Sequence, residues 1–312
     1  MLDNIPKISV LIVTYNQEEL IKRAVDSLLI QKDYLYEICI SDDCSNDKTW
    51  EVLQDYNLKY PGLFVLNRNS SNVGIFENVE RTWGMPTGDV IYQMAGDDEC
   101  GKDWFKKVVS FISDRKIDYK KELFCIYGDY KAIYPNGDSF IQNNKMAISG
   151  INTLKLSLRN LIDSRSTCYS INVLKKFKSV YQGRSYIAES AQSRQLQIFT
   201  EKNYYISHVG NIYYTGIGVS TNISDERKTQ HMARWDFLIA NMQSWGIILD
   251  EKDKKYVSFR KALEEKSYLK ALYFYICSID MKLGFKGIRI RRLFFALYRR
   301  MPHKKSFENY RV

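Results

Sequence analysis

Short β-branched runs alternate with segments of helical periodicity over the first 120 residues. The run at 8–13 predicts a buried strand, and the apolar positions that follow it repeat at helical spacing between Leu20 and Leu29. Asn16 with Glu19 three residues later predicts a capping box at the start of that helix. Similar pairs predict strands at 37–41, 63–66 and 89–94 and helices at 48–58, 75–83 and 102–113. This alternation indicates an α/β fold with a mostly parallel sheet and helices on both faces, whose ligand site lies beyond the carboxyl ends of the strands.

The pattern changes after residue 120. A strand is predicted at 123–127 and a hairpin at 132–140, with Asn136-Gly137 in a type I′ turn. Helical patterns follow at 154–161, 171–177 and 189–199, and residues 225–280 have a helical composition. We therefore predict one domain over residues 1–220, with halves at 1–120 and 121–220, and a C-terminal helical region at 221–312.

Charge sets the C-terminal tail apart from the rest of the chain. The chain has 46 Lys and Arg against 36 Asp and Glu, and residues 282–312 alone carry four Lys and six Arg against Glu308. On a helical wheel the tail places basic residues opposite an apolar side formed by Ile290, Phe294, Leu297, Tyr298 and Met301. Such a basic amphipathic helix is typical of peripheral attachment to an anionic membrane, and the alternative is a helix packed on the preceding domain. Nothing accompanies the charge that would indicate nucleic-acid binding.

Cysteine spacing and hydropathy bear on the compartment. The six cysteines include no C-x-x-C pair, so we expect reduced thiols rather than disulfides or a zinc site. The apolar run at 271–279 is too short to span a bilayer as a helix, and no targeting segment is recognisable. We expect a cytoplasmic protein.

Polar residues follow each of the first four predicted strands. Thr14-Tyr15-Asn16 follows the first, Asp42-Asp43 the second, Asn72-Val73-Gly74 the third and Asp97-Asp98 the fourth. The carboxyl ends of parallel strands meet at one edge of the sheet, so these groups should converge. Paired carboxylates suit Mg²⁺ or Mn²⁺, which prefer oxygen ligands and substrate phosphates.

Four segments in this order resemble the family 2 glycosyltransferases. They are ISVLIVTYN at 8–16, ISDDCSNDKT at 40–49, Asn72–Gly74, and GDVIYQMAGDD at 88–98. The resemblance implies the GT-A fold, a Rossmann-like sheet with helices on both faces. It also implies transfer of a sugar from a nucleotide sugar, with inversion at the anomeric carbon, and a need for Mn²⁺ or Mg²⁺.

The resemblance also implies roles for individual residues. Residues 1–120 match the nucleotide-sugar half and residues 121–220 the acceptor half. The nucleotide-binding positions are Thr14, Tyr15 and Asn16 at the base and ribose, Asp43 at the base with its neighbour Asp42, Asn72 and Gly74 towards the diphosphate, and Asp97 at the ribose. The metal positions are Asp98 and Asp97.

The chain departs from the family pattern at three motifs. Ala95 stands where many members have an aspartate, and Cys44 replaces the usual glycine after Asp-Asp. The family's catalytic base, often in a Glu-Asp pair, matches Glu189, but the aspartate is absent. Tyr213–Gly216 resembles the family's closing Tyr-Tyr-Arg segment and supports that register. Asp163 and Asp138 are the fallback candidates for the base, whereas His208 and His231 are more typical of structural histidines.

The resemblance implies an inverting, metal-dependent, UDP-dependent glycosyltransferase that moves a hexosyl or N-acetylhexosaminyl group to a glycan or lipid-linked acceptor in surface polysaccharide synthesis. Its expected place is the cytoplasmic face of the cell membrane. One alternative is a non-catalytic nucleotide-sugar or glycan-binding protein on the same fold, suggested by Ala95. The other is a sugar-phosphate nucleotidylyltransferase, although Thr14-Tyr15-Asn16 stands where that class has a glycine-rich basic loop.

Overall fold

The computed structural model describes residues 5–150, 152–158, 162–180, 196–197, 199–217, 249–265 and 267–279. The strands are β1 (Ile8–Thr14), β2 (Glu37–Asp42), β3 (Phe64–Arg68), β4 (Val90–Ala95), β5 (Glu99–Cys100), β6 (Phe124–Ile133), β7 (Ser139–Gln142), β8 (Thr167–Ser170) and β9 (Lys202–Tyr214). The helices are α1 (Leu20–Leu29), α2 (Thr49–Lys59), α3 (Ile75–Thr82), α4 (Trp104–Asp114), α5 (Thr153–Leu158), α6 (Ile171–Val180), α7 (Glu251–Glu264) and α8 (Tyr268–Cys277).

The nine strands form one sheet in the order β3-β2-β1-β4-β8-β6-β9-β5, with β7 paired to β6. The first four strands in this order are parallel to one another, as the alternation predicts. Beyond β4 the pairing is mixed, because β8 runs antiparallel to both β4 and β6 whereas β9 runs parallel to β6. The predicted α/β fold is confirmed, and purely parallel pairing is confined to its first half.

The core beneath the first half comes from the strands and helices predicted there. Every residue of β1 is buried, as expected for a central parallel strand with both faces covered. Helix α1 buries Ile21, Ala24, Val25 and Leu28 against the sheet. Apolar periodicity therefore sets which face of the helix packs on the strands.

Two local predictions are wrong. No side chain caps α1 at Glu19, and Asn16 has a positive φ of 51° instead of the extended geometry of a cap. In the β6–β7 hairpin, Gly137 has a φ of 85°, but Asn136 is not among the residues with positive φ, as a type I′ turn requires. The hydrogen bond from the Gly137 nitrogen to the Tyr134 oxygen (2.9 Å) instead makes Pro135 and Asn136 the central turn residues, and the proline ring holds φ negative.

The described residues divide into two compact units. The first takes in those of Met1–Leu154 and Ile162–Asn222, and the second those of Lys155–Leu161 and Ile223–Val312. In the second unit α7 and α8 pack together through Phe259, Ala262, Leu263, Ala271 and Tyr275. Within the part of the chain that the structure describes, no helix is both long and apolar enough to cross a membrane.

Candidate active site

Backbone hydrogen bonds join the carboxyl ends of the parallel strands. The Asp43 nitrogen donates to the Thr14 oxygen (3.0 Å), and the Gly96 nitrogen donates to the Val13 oxygen (3.2 Å). The Asn69 nitrogen, just after β3, donates to the Asp42 oxygen (2.9 Å). The four predicted polar groups therefore follow strands that end at one edge of the sheet.

Asn16 links the end of β1 to the loop after β2. Its nitrogen donates to Ser45 Oγ (2.9 Å), and its Oδ1 accepts from the Asn46 nitrogen (2.8 Å). This second bond replaces the predicted cap of α1, and asparagine tolerates the left-handed backbone that it requires. Thr14 is buried and its hydroxyl donates to Gln17 Oε1 (2.9 Å), whereas Tyr15 is only half-buried. The predicted nucleotide positions on β1 are thus held by hydrogen bonds within this edge.

The carboxylate of Asp42 is an internal group of the loop after β2. It has no exposed surface and accepts hydrogen bonds from the nitrogen and the hydroxyl of Ser45. Arg68 Nε lies 3.5 Å from its Oδ2. Burial raises the pKa of Asp42, and the Ser45 bonds and the Arg68 charge partly offset that rise. This side chain closes the turn and presents no surface to a ligand.

Asp43 anchors the loop that contains two other predicted site residues. Its Oδ1 accepts from Asn69 Nδ2 (2.8 Å) and from the Val73 nitrogen (2.9 Å), and its Oδ2 accepts from the Gly74 nitrogen (2.9 Å). Gly74 has a φ of 85°, which favours glycine at that position. A carboxylate offers about four acceptor positions, so these three donors leave one for a further donor. Asn72 is exposed beside this anchored loop.

The second acidic pair begins beyond Ala95, the last residue of β4. A side chain at Gly96 would place its Cβ 2.5 Å from Gln17 Oε1 and 3.2 Å from Thr14 Oγ1, so it would have to displace the end of the Gln17 side chain that accepts from Thr14. Asp97 is half-buried, and burial raises its pKa while the charges of Arg23 and Arg165 partly lower it. Asp97 therefore lies in a setting where an added positive charge would stabilise the ionised carboxylate.

Asp98 lies deeper, with 5% of its surface exposed. Asn211 Nδ2 on β9 lies 3.4 Å from Asp98 Oδ2. The Asn211 Oδ1 atom is buried and has no hydrogen-bond partner. A buried amide with an unsatisfied oxygen therefore lies next to the Asp98 carboxylate.

Two arginines flank this acidic pair, and the sequence patterns did not indicate either. Arg23 on α1 donates through Nη2 to the Asp97 carbonyl oxygen (2.6 Å) and places Nε 3.2 Å from Glu99 Oε1. Its guanidinium lies over the Tyr214 ring, 3.8 Å from the ring centroid. The Tyr214 hydroxyl donates to Glu99 (2.5 Å), and burial together with that carboxylate raises the pKa of Tyr214 to about 12.

Arg165 occupies the loop before β8. Its Nη1 donates to Asp163 Oδ2 (2.6 Å), and its guanidinium lies 4.4 Å from the centroid of the Tyr213 ring and 5.2 Å from that of Tyr130. Tyr213 and Tyr214 are successive residues of β9, so this strand supports both arginines from opposite faces. The Tyr213-Tyr214 dipeptide was visible in the sequence, but its arginine partners lie far away along the chain.

The structure describes two of the three candidates for the catalytic base and one of the two histidines noted in the sequence. Glu189 and His231 lie outside the described residues. Asp163 is engaged with Arg165, and Asp138 accepts from Asn136 Nδ2 (2.8 Å) in the β6–β7 turn. His208 Nε2 lies 2.6 Å from the Lys102 carbonyl oxygen, which is the structural contact expected for it.

The fit of a divalent cation depends on the donors at the end of β4. Among the residues that the structure describes, no group of three or more His, Cys, Asp or Glu side chains could hold a metal ion. A cation such as Mg²⁺ needs only one or two protein carboxylates when substrate phosphates complete its shell. Asp97 and Asp98, with the unsatisfied Asn211 Oδ1 beside them, match that all-oxygen donor set.

Comparison with known protein families decides the class. The model of the family described as glycosyl transferase family 2 matches residues 9–156. Residues 9–156 belong to glycosyl transferase family 2. The predicted family is confirmed over residues 9–156, and this match supports the predicted enzyme class, a glycosyltransferase.

Curated relatives of this chain match over part of their length. An uncharacterized glycosyltransferase, MG025 of Mycoplasma genitalium, is 37% identical over 106 residues, which are 33% of this chain and 36% of that protein. A poly(ribitol-phosphate) beta-glucosyltransferase of Bacillus spizizenii is 30% identical over 116 residues, 36% of this chain and 18% of that protein. The match thus spans little more than a third of the length of MG025 and less than a fifth of the length of the glucosyltransferase.

Alignments with solved structures that share the fold cover more than nine-tenths of the chain. S. aureus TarS 1–349 in complex with UDP-GlcNAc has a TM-score of 0.64 at 16% identity, covering 93% of this chain and 81% of that one. A mannosyltransferase from Pyrobaculum calidifontis in complex with GDP-Man and Mn²⁺ has a TM-score of 0.54 at 12% identity, with coverages of 95% and 81%. These likenesses confirm the GT-A fold.

Proposed function

We propose that the protein transfers a sugar from a UDP-sugar to a glycan or lipid-linked acceptor in surface polysaccharide synthesis, with inversion at the anomeric carbon. The observation that carries this proposal is that Asp43 and the Asp97-Asp98 pair follow strands ending at one edge of the sheet. These residues lie within the segment 9–156 that matches glycosyl transferase family 2. In this proposal residues 1–120 hold the donor and residues 121–220 the acceptor, and residues 221–312 form a separate helical region.

The nucleoside would lie against the ends of β1 and β2. Thr14, Tyr15 and Asn16 form the wall on β1, and the remaining acceptor position of Asp43 suits an N–H of the base. Asp42 supports this wall from inside, because its own oxygens are used by Ser45. Asn72 and Gly74 continue the wall towards the diphosphate, on a loop that Asp43 already anchors.

Asp97 and Asp98 would hold Mn²⁺ or Mg²⁺ together with the donor diphosphate. The cation supplies positive charge that neutralises the leaving nucleoside diphosphate. Arg165 lies close enough to lower the pKa of Asp97, and about a third of its side chain (38%) is exposed. We propose that its guanidinium binds the diphosphate, since a planar fork of donors matches phosphate oxygens. Arg23 orients the loop by holding the Asp97 carbonyl.

The role of Arg165 is tested with Arg165→Gln and a matched variant, Asp163→Asn. If Arg165 contacts the diphosphate, Arg165→Gln weakens UDP binding by at least about tenfold and leaves uridine binding unchanged. Asp163→Asn removes the ion pair but keeps the guanidinium, so UDP binding should persist. Equal losses of UDP binding in both variants would show that the Arg165–Asp163 ion pair only positions the loop before β8. The Arg165 guanidinium would then not contact the diphosphate.

Glu189 stays our proposed catalytic base. An inverting transfer needs a carboxylate that removes the acceptor proton as the sugar leaves the diphosphate. Glu189→Gln should lower turnover by roughly 10²–10⁴-fold and keep donor binding within a few-fold. Glu201→Gln, at an exposed glutamate, is the control. Wild-type turnover in Glu189→Gln would direct the search to Asp163.

The activity itself is tested with a panel of nucleotide sugars. Thermal shift with each donor identifies the base and sugar, because a ligand at 100 times its dissociation constant stabilises by about 2.7 kcal/mol. Release of nucleoside diphosphate from the best donor with Mn²⁺ and no acceptor separates an enzyme from a non-catalytic sugar-binding protein. Pyrophosphate-dependent formation of a nucleoside triphosphate would instead indicate a nucleotidylyltransferase.

We also propose peripheral attachment to the cytoplasmic face of the cell membrane through residues 282–312, which lie outside the described residues. Their excess of basic side chains supports this, since each contributes about 1 kcal/mol near an anionic leaflet. Deleting residues 282–312 should release the protein from phosphatidylglycerol vesicles in a flotation assay and leave UDP binding intact. Equal flotation of both forms, or unfolding of the truncated form, would contradict a membrane role.

A further inference from the structure

One side of α8 exposes four large apolar residues. The exposed fractions are 85% for Leu269, 39% for Leu272, 59% for Tyr273 and 58% for Ile276. Their spacing puts them on one side of the helix, and we call these four residues the α8 face. Ala271 and Tyr275 on the other side are buried against α7. The outward side of a surface helix is normally polar, so this helix is apolar on both sides.

Other exposed apolar residues in helical parts of the first unit occur singly. Leu58 in α2 is 79% exposed and Ile30 after α1 is 78% exposed, and neither belongs to an apolar stripe. Scattered residues of that kind are ordinary on protein surfaces, whereas a contiguous apolar patch indicates an interaction site. The comparison separates the α8 face from the general background of exposed side chains.

Basic residues within and after α8 in the sequence indicate the partner of the α8 face. The only charged residue within α8 is Lys270, which is exposed, and the ten basic residues of 282–312 begin five residues after the helix ends. A helix of ten residues is about 15 Å long, half the thickness of a hydrocarbon core. Apolar side chains followed in the sequence by concentrated positive charge match the boundary between the acyl chains and anionic headgroups.

We propose that the α8 face inserts shallowly into an anionic lipid surface. This deepens the proposed attachment through residues 282–312 and rests on it for the charge that selects anionic lipid. The tail supplies the salt-sensitive part of binding, and the α8 face supplies the part that survives high salt, because apolar burial is not screened.

A matched pair of double variants of the full chain tests the α8 face. Leu269→Glu with Ile276→Glu places two charges on it, and Ile30→Glu with Leu58→Glu makes the same chemical change at comparably exposed sites in the first unit. In flotation with phosphatidylglycerol–phosphatidylcholine vesicles, the first variant should lose at least tenfold in partitioning at both low and high salt. The control should stay within twofold of wild type.

A fluorescent label reports insertion without relying on those variants. Cys277 at the end of α8 is exposed, Cys44 is partly exposed, and the other four cysteines are buried. In a Cys44→Ser background, an environment-sensitive dye on Cys277 should shift to the blue with anionic vesicles and become protected from an aqueous quencher. Pure phosphatidylcholine vesicles should produce neither effect at the same lipid concentration.

The outcomes separate the α8 face from the tail. If deleting 282–312 abolishes flotation while the α8 variant floats like wild type and the dye stays exposed, the α8 face is not a lipid contact and the tail proposal stands. If neither change affects flotation, both proposals fail. If wild type is a dimer without lipid, and the α8 variant is a monomer with unchanged flotation, the face pairs two copies of the chain and the lipid proposal is overturned.

Discussion

The same dipeptide, Asp-Asp, follows two parallel strands of this protein, and its two copies have different surroundings. The Asp42-Asp43 carboxylates accept hydrogen bonds from Ser45, Asn69 and the backbone of the 73–74 loop. At the second pair, Asp97 is half-buried with a raised pKa, and Asp98 faces an asparagine with an unsatisfied oxygen. The following residues make the difference: Ser45 folds back onto Asp42, whereas Asp98 leads directly into β5. Protein donors thus occupy most of the acceptor positions of the first pair and leave one at Asp43, whereas Asp97 in the second pair is less buried.

The largest expected effect is the loss of nucleotide binding in Asp98→Asn. Removing a charged oxygen ligand should weaken Mn²⁺-dependent UDP binding by at least about 100-fold. Even substitutions of residues that only hydrogen-bond a metal ligand lower metal affinity by about 10–100-fold. Calorimetry with UDP and Mn²⁺ measures it, with Asp55→Asn on the exposed side of α2 as the control. Unchanged affinity would move the metal site elsewhere, and tighter binding of GDP or dTDP would refute the choice of uridine.

A substitution in the first pair, Asp42-Asp43, should lower the free energy of unfolding. Asp43→Asn replaces one acceptor oxygen by an N–H₂ group, so the Val73 or the Gly74 nitrogen loses its partner. The free energy of unfolding should fall by about 2 kcal/mol, the usual cost of an unsatisfied buried donor. Urea denaturation measures this change. A variant that keeps wild-type stability and loses only UDP binding would erase the contrast between the two pairs.

A smaller effect is expected at Ser45. Its hydroxyl donates to Asp42 and accepts from the Asn16 nitrogen, so Ser45→Ala breaks two contacts at once. We expect a loss of about 1–2 kcal/mol in unfolding free energy. The exposed Ser70→Ala is the control for the urea experiment. Equal stability of the two variants would mean that the loop after β2 does not depend on this hydroxyl.

The smallest effect should appear at Asp97 and have the opposite sign. Because burial raises its pKa above the ordinary 3.8, the folded state binds the proton more tightly than the unfolded state. Stability therefore falls as the pH rises through the interval between the ordinary and the raised pKa. Asp97→Asn lacks this loss, so without metal it should be slightly more stable than wild type at pH 7, and the advantage should disappear at low pH. Urea titrations at both pH values test it, and an Asn variant that is less stable at pH 7 contradicts it.

Local pattern was sufficient for the first half of the molecule. Strands β1 to β4 and helices α1 to α4 lie close to their predicted bounds, because a buried parallel strand and an amphipathic helix each carry their own periodicity. The type I′ turn was wrong because Pro135 moves the turn, and the capping box was wrong because Asn16 bonds to the next loop instead. The first error has a local cause, the proline before Asn136, whereas the second comes from a contact 30 residues along the chain that a short sequence window does not contain.

The sequence by itself determined the strand–helix alternation, the placing of four polar groups after parallel strands, and the family resemblance that the comparisons confirm. Only the tertiary structure showed that β9 runs beside β6, since its bulged register breaks the alternation by which a strand is recognised. The same strand brings Arg23 and Arg165 to the Asp97-Asp98 turn through Tyr214 and Tyr213. These partners lie far apart in the chain, and no local spacing encodes them. The donors that occupy most of the Asp43 carboxylate, Asn69 and the 73–74 backbone, likewise come from distant positions in the chain.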